Sequence, residues 1–109
     1  MTKVIDVSAR ASRAKELFLE GYNCSQAVAL AYADIADVDA ALLAKIAAPF
    51  GGGMGRMREV CGTVSGMAML TGAIKPAVNP QNLEERKENY ALVQHFADKF
   101  RVENGDIVC

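Results

Sequence analysis

The sequence is short of net charge and of long apolar runs, and each shortage excludes a class of function. Twelve basic residues against thirteen acidic ones leave a formal net charge of −1, which argues against a general binder of nucleic acid or of acidic membranes. The longest apolar stretch, residues 60–74, contains glycine, serine and threonine and falls short of the roughly 20 residues that span a bilayer. We therefore expect neither a nucleic acid nor a membrane as a partner.

Histidine is almost absent, which removes two kinds of site. His95 is the only histidine, so the chain has neither a Cys/His zinc set nor a Ser-His-Asp arrangement. His95 lies off the apolar stripe of its segment, and we expect it to face solvent. The acidic residues Asp34, Asp37 and Asp39 are interpreted as helix caps rather than as a catalytic carboxylate pair.

Cysteine is also scarce, and its spacing is not that of a secreted or zinc-finger protein. Cys24, Cys61 and Cys109 are odd in number, are 37 and 48 residues apart, and form no C-x-x-C pair. The first 15 residues carry several charges and no unbroken apolar segment, unlike a secretory signal. These features predict a cytoplasmic location with reduced thiols.

The residues that are present predict an all-α fold. The chain has 109 residues, of which 51% are hydrophobic, enough for one core, so we expect a single domain over 1–109. Apolar residues recur with helical periodicity and show no strand-like alternation. The pattern predicts a bundle of about five helices, with 1–7 a flexible N-terminus and 104–109 a C-terminal tail. The helices are expected at about 8–20, 23–35, 37 or 39 to 48, 58–74 and 81–103, with the glycine-rich loop 50–56 before the fourth.

Individual residues refine this bundle. Ser8 and Asn23 are predicted to cap the first two helices, and the alanine-rich second helix is expected at the buried centre. Gly62 and Gly66 lie four residues apart in the fourth helix, which indicates that another segment packs close to its backbone. The fifth helix is expected to turn an apolar stripe to the core, formed by Leu83, Tyr90, Val93, Phe96, Ala97 and Phe100.

The glycine loop resembles a phosphate-binding loop but fails the tests for one. It lacks the Lys-Ser/Thr end of a Walker loop, and a predicted helix, not a strand, precedes it. Its amides at Gly52 and Gly53, together with Arg56, are a candidate site for a small anion. A tight chain crossing that leaves no room for side chains is the alternative.

Two cysteines are predicted at helix starts. Cys24 follows the cap Asn23, and Cys61 falls in the first turn or so of the fourth helix, beside Arg56 and Arg58. Unpaired amides and a positive helix end favour a thiolate there, and a thiolate is both the nucleophile of disulfide exchange and a metal ligand. The alternative is that both cysteines fill the core. The methionines, among them Met54 and the pair Met67 and Met69, are interpreted as packing residues.

Four blocks of the sequence resemble the redox-active protein family known as C_GCAxxG_C_C. The blocks are GYNCSQAV at 21–28, FGGGMGR at 50–56, VCGTVSG at 60–66 and GDIVC at 105–109. The resemblance implies a small helical protein whose cysteines are its working groups. Cys24 matches the first cysteine of the family and Cys61 the cysteine of the glycine-rich block. Cys109 matches the next one.

The pattern and the resemblance together predict a thiol-based redox protein. Cys24 and Cys61 are expected to meet at converging helix starts beneath the glycine loop and to exchange with a thiol or disulfide partner. We expect Cys109 to approach this pair as a third catalytic thiol, and the alternative is that it hangs free on the tail. The first alternative is a binding module in which the same three cysteines ligate a soft metal or an iron–sulfur cluster. The second is a helical interaction bundle with inert cysteines. The odd cysteine count leaves a homo-oligomer open.

Overall fold

The computed structural model describes residues 6–109 and confirms the all-α prediction. This part of the chain forms six α-helices and one short 3₁₀ helix, and it contains no strand longer than a single β-bridge. The predicted flexible N-terminus lies outside the described residues at 1–5, whereas Asp6 and Val7 belong to the first helix start. The elements are α1 (Val7–Leu19), α2 (Cys24–Ala31), α3 (Ala33–Ala36), α4 (Ala40–Ala47), the 3₁₀ helix Ala48–Phe50, α5 (Gly62–Ile74) and α6 (Leu83–Asn104).

Three predicted helix boundaries were wrong. Helix α1 is capped by Asp6, whose Oδ1 accepts from the amide of Ala9 at 3.1 Å, and not by Ser8. The second predicted helix is two helices because the backbone leaves helical geometry at Tyr32, at φ −123°. Helix α5 begins at Gly62 and not at residue 58, because the preceding segment takes left-handed and extended conformations that end a helix.

Helix α2 is the centre of the bundle, as predicted. It packs against α1, α4 and α5, and Ala27, Ala29 and Ala31 are each at most 3% exposed. The buried side chains of α2 are all small, namely Ser25, Ala27, Ala29 and Ala31. They let the neighbouring helices approach its axis closely, so α2 holds a fixed position relative to them.

The start of α2 is tied to the end of α4 by two side chains. Asn23 and Gln26 form a capping box, each bonding the other's backbone. The Asn23 Nδ2 also donates to the carbonyl of Ala48 at 2.8 Å, and the Gln26 Nε2 donates to the carbonyl of Ala44 at 2.9 Å. These bonds fix the start of α2 against the last turn of α4, where the Ala44 carbonyl also accepts from the Ala48 amide.

The three aspartates have different roles, so the interpretation of all three as caps was partly wrong. Asp39 does cap α4 by accepting from the amide of Leu42. Asp37 ends α3 in a left-handed conformation. Asp34 instead accepts two bonds from the Arg10 guanidinium at 2.5 and 3.0 Å, which lowers the pKa of its carboxyl to about 2. This pair fastens α1 to α3.

Helix α6 does not bury its predicted apolar stripe. Only Ala97 is buried in this helix, while Leu83 and Tyr90 are 66% and 59% exposed, because α6 packs chiefly on α5 alone. An apolar groove of about 380 Å³ remains between α2, α5 and α6. His95 is exposed, as predicted. Between residues 6 and 109, no helix has the length and hydropathy needed to cross a membrane.

Candidate functional site

In the structure the glycine loop extends over residues 51–61, between the 3₁₀ helix and α5, and much of it follows a left-handed path. Five successive residues, 52–56, have φ values between +57° and +75°, and Arg58 has a φ of +61°. Glycine adopts this conformation freely, but Met54, Arg56 and Arg58 do so at a cost of about 1 kcal/mol or more each. Backbone strain of this kind is concentrated at functional sites. The residues that contact the loop are therefore candidates for the functional site.

The loop is closed by its own hydrogen bonds. The amides of residues 54, 55, 56, 58 and 59 donate to the carbonyls of residues 49–53 at 2.7–3.3 Å. Most amide donors of the loop are therefore already used within it, and they are not directed at a ligand. The anion site at Gly52, Gly53 and Arg56 stays a prediction. Met54 and Met57 are 43% and 62% exposed, so neither is a core residue.

Two glycines bring the loop and α5 onto the start of α2. A β-carbon at Gly51 would collide with the side chain of Asn23, and one at Gly62 would collide with the Cys24 Sγ. A β-carbon at Gly66 would lie 3.0 Å from the carbonyl oxygen of Ser25 and 3.2 Å from the Val28 Cβ. The predicted close approach at Gly62 and Gly66 is thus confirmed, and its partner is α2.

Cys24 and Cys61 stand at the starts of two helices that contact each other. Cys24 is the first residue of α2, and Cys61 is the N-cap of α5, where its thiol makes no capping bond. Both side chains are half-buried free thiols. Because the Cys24 sulfur touches Gly62, it lies one residue along the chain from Cys61, and neighbouring Cα atoms are only about 3.8 Å apart.

The C-terminal tail brings Cys109 to the same place. Val60 and Val108 form an antiparallel bridge, flanked by a bond from the Cys61 amide to the carbonyl of Ile107 at 2.7 Å and one from the Cys109 amide to the carbonyl of Glu59 at 2.6 Å. In this pairing Cys61 and Cys109 lie on one face as diagonal neighbours, a relationship that separates residues by about 7–8 Å.

Cys109 is the exposed member of the three, and the glycine loop holds it. The Arg58 Nη1 donates to the Cys109 Sγ at 3.6 Å. A β-carbon at Gly53 would lie 2.7 Å from the Cys109 Cβ and 2.7 Å from the Glu59 amide nitrogen, so the loop leaves space for this cysteine only because residue 53 is glycine. The structure therefore gathers Cys24, Cys61 and Cys109 around the start of α5.

Among the described residues, no group of three His, Cys, Asp or Glu side chains is arranged to hold a metal ion. Soft metals and iron–sulfur clusters require converging thiolates. A metal-ligating role of Cys24, Cys61 and Cys109 accordingly stays a prediction, without geometric support from residues 6–109.

The sequence interpretation missed Ser25 and the bond from Arg58 to Cys109. Ser25 is fully buried between α2 and α5, and its Oγ has no hydrogen-bond partner within the described structure. Its backbone, through the amide nitrogen and the carbonyl oxygen, is what Gly62 and Gly66 of α5 approach, so the glycine pair was a usable signal for this close contact but not for the buried hydroxyl. The Arg58 contact depends on the tail folding back, and no local pattern indicates that.

A family model with the description "Putative redox-active protein (C_GCAxxG_C_C)" matches residues 22–109. The matched region starts just before α2 and includes the glycine loop, α5 and the tail, so all three cysteines fall within it. No curated protein and no solved structure gives a significant match to the chain.

Proposed function

The chain belongs to the C_GCAxxG_C_C family, which is described as redox-active, and we propose that its activity is reversible thiol–disulfide exchange by Cys24 and Cys61. In this proposal Cys109 is an additional thiol of the same site. The partner is a thiol or disulfide compound, and the protein cycles between dithiol and disulfide forms.

The observation that supports this most strongly is the contact of the Cys24 sulfur with Gly62. A disulfide requires Cα atoms about 4.4–6.8 Å apart. The contact places the Cys24 sulfur against the residue that directly follows Cys61, and this proximity supports a bond between the two thiols.

The position of both thiols at helix starts suits the chemistry. The first amides of a helix have no intrahelical acceptor and carry the positive end of the helix dipole, so both sulfurs lie beside a partial positive charge. The thiol of Cys61 makes no capping bond. The sulfur is therefore not committed to holding the helix end and is free to react.

The exchange conserves electrons and protons. The thiolate of one cysteine attacks a sulfur of the incoming disulfide, a protein–substrate S–S bond forms, and the first substrate thiolate leaves and takes up a proton. The second cysteine then attacks the protein sulfur of this mixed disulfide, and the second substrate thiolate leaves. Two electrons pass from Cys24 and Cys61 to the substrate, and the reverse sequence restores the dithiol.

Formation of this disulfide should also stabilise the fold. It would link residues 37 positions apart, and closing a loop of that length restricts the unfolded chain by about 3–4 kcal/mol, less any strain in the folded state. The oxidised form should therefore unfold at a higher denaturant concentration than the reduced form.

A redox titration tests the proposal. Purified protein is equilibrated with glutathione buffers of graded potential, and alkylation, intact mass and peptide mapping are recorded. We expect Cys24 and Cys61 to lose alkylation together, with a mass loss of two hydrogens. Cys24→Ser and Cys61→Ser should each abolish this transition, whereas Cys109→Ser should keep its midpoint. If both thiols stay alkylatable under the most oxidising buffer, the proposed couple is wrong.

A further inference from the structure

We propose that Cys109 is the thiol that first reacts with an external disulfide, that Arg58 positions it, and that Cys61 passes the oxidation inward to Cys24. This inference rests on the proposed Cys24–Cys61 couple and assigns an order of attack within it. It also names the class of disulfide substrate that the charges around Cys109 favour.

The three thiols differ in access. Cys109 is exposed, whereas Cys24 and Cys61 are half-buried, and the Cys24 sulfur is pressed against the backbone of Gly62. Disulfide exchange needs the attacking sulfur to reach its target, so its rate depends on access. An external disulfide therefore meets Cys109 first.

Several groups of the glycine loop hold Cys109 in place. The carbonyl of Glu59 accepts from its amide at 2.6 Å, and the Arg58 guanidinium donates to its sulfur at 3.6 Å. Gly53 provides the space for its β-carbon. Arg58 makes its contact from a left-handed backbone at φ +61°, a conformation that non-glycine residues rarely adopt. The strained residue is thus one that contacts a thiol directly.

Cys61 lies between the other two cysteines. It is the diagonal neighbour of Cys109 across the Val60–Val108 bridge, so a Cys61–Cys109 bond requires the tail to move closer than the separation of about 7–8 Å in that relationship. Its next residue, Gly62, contacts the Cys24 sulfur. Oxidation that starts at Cys109 therefore reaches Cys24 by way of Cys61.

The sequence of bonds is balanced at each step. The Cys109 thiolate attacks a low-molecular-weight disulfide, forms a mixed disulfide and releases one substrate thiolate, which takes up a proton. Cys61 attacks the Cys109 sulfur, forms a Cys61–Cys109 bond and releases the second substrate thiolate. Cys24 then attacks the Cys61 sulfur, forms the Cys24–Cys61 disulfide and returns Cys109 to a thiol. The substrate gains two electrons, and the protein loses two.

The positive charge beside the Cys109 sulfur favours a disulfide substrate that carries carboxylates. The Arg58 guanidinium lies at the reacting sulfur, and Arg56 is two residues away in the same loop. The nearby acids Asp106, whose carboxylate accepts from the amides of Ile107 and Val108, and Glu59 remain as opposing charges, so the preference rests on Arg58, whose guanidinium contacts the sulfur itself. Guanidinium groups bind carboxylates with charge-assisted hydrogen bonds.

The test measures how fast the full-length reduced protein forms the Cys24–Cys61 disulfide. Two probes of opposite charge are used: glutathione disulfide, which carries carboxylates, and cystamine, which carries amines. We expect Cys109→Ser to slow the reaction with glutathione disulfide by about tenfold or more, since the accessible nucleophile is lost. In Cys61→Ser, glutathione should accumulate as a mixed disulfide on Cys109, as mapped by mass spectrometry.

Arg56 and Arg58 provide a matched pair of variants. Both are left-handed arginines of one loop, but Arg58 is the one whose bond to the Cys109 sulfur the structure shows. Arg58→Gln should slow the reaction with glutathione disulfide by about threefold to tenfold and affect cystamine less, whereas Arg56→Gln should stay within about twofold of the parent. Arg58→Lys, which keeps the cation, should recover most of the rate.

The outcomes separate this inference from the proposed function. A Cys109→Ser protein that oxidises at the parent rate, or glutathione trapped on Cys24 or Cys61 instead of Cys109, overturns the order of attack but leaves the couple intact. Equal slowing by Arg56→Gln and Arg58→Gln overturns the role of Arg58. Absence of any Cys24–Cys61 disulfide in the parent protein refutes the couple itself.

Discussion

The sulfur of Cys24 lies against the backbone of Gly62, in the place that a β-carbon would occupy in any other residue. The contact joins the start of α2 to the start of α5. It places the Cys24 thiol beside Gly62, the residue that follows Cys61. Residue 62 therefore has a steric requirement and a chemical one, because a larger residue would displace the sulfur that the proposed exchange uses.

Gly62→Ala is expected to destabilise the protein. The new methyl group would collide with the Cys24 sulfur and lie 3.0 Å from the Ser25 amide nitrogen, and overpacking of this kind costs about 1–3 kcal/mol. Gly72→Ala is the matched control in the same helix, because a β-carbon there meets no atom within 4 Å. It should stabilise by up to about 1 kcal/mol through helix propensity. Urea unfolding measures both, and equal effects would contradict the packing argument.

Asn23 is expected to matter more than an ordinary N-cap. Asn23→Ala should cost about 1–2 kcal/mol, because it removes the bond to the Gln26 amide, the bond to Ala48 and the surface that Gly51 covers. Asn23→Asp keeps the capping acceptor and loses the bond to Ala48, so it should cost less.

The matched control for Asn23 is Asn82, the cap of α6. Its side chain accepts from the Glu85 amide at 3.0 Å in an exposed setting, so Asn82→Ala should cost about 1 kcal/mol or less. Chemical denaturation compares the two alanine variants. A larger loss at Asn82 than at Asn23 would show that the ties from α2 to α4 and the loop contribute little.

Relief of backbone strain should stabilise the glycine loop. Met54 has a φ of +62° and is 43% exposed, so Met54→Gly exchanges a strained residue for one that accepts this conformation. We expect a net gain of up to about 1 kcal/mol after the entropy cost of glycine. Met57 has no positive φ, so Met57→Gly should instead lose about 0.5–1 kcal/mol. Thermal or urea unfolding midpoints give the sign of each stability change. A loss of stability in both variants would be evidence against strain at Met54.

The pair of Arg10 and Asp34 should make stability depend on acid pH. Its hydrogen bonds lower the pKa of the Asp34 carboxyl from 3.8 to about 2, so the folded state favours the ionised form. This contribution is complete above the ordinary carboxyl pKa and is lost as the pH falls through about 2. Asp34→Asn should therefore lower the urea midpoint at pH 6 and much less at pH 2.

A double-mutant cycle isolates that pair. On an Arg10→Gln background, Asp34→Asn should change the midpoint less than it does in the parent protein, because the partner is already lost. An unchanged effect of Asp34→Asn on this background would show that its contribution does not come from Arg10.

The helical class could be predicted from local pattern, because periodicity and caps are encoded within a few residues. Asn23 and Asp39 cap their helices as the sequence indicated, and the glycine pair of α5 marked a close helix approach. The break at Tyr32 could not be predicted, since an alanine-rich segment has high helix propensity on both sides of it. The exposure of the apolar stripe of α6 was missed because an amphipathic pattern identifies an apolar face but not the element that covers that face.

The candidate site was only partly accessible to sequence reasoning. The cysteines themselves were recognisable, but the left-handed course of Met54, Arg56 and Arg58 opposes their intrinsic preferences and is set by contacts elsewhere. The bridge between Val60 and Val108 joins positions far apart in the chain. Such pairing depends on how α6 returns the tail to the loop, which no local signal encodes.

The interior around α2 is built from small groups, and this restricts how the sequence can vary. The largest side chain below 2% exposure in residues 6–109 is that of Ser25, and Ala29 and Ala47 are 0% exposed. There is little bulk to remove at these three positions, and nearly every replacement there adds volume. Neutral drift at these positions is thus confined to exchanges among glycine, alanine and serine, while the outer faces of α1 and α6 are free to diverge.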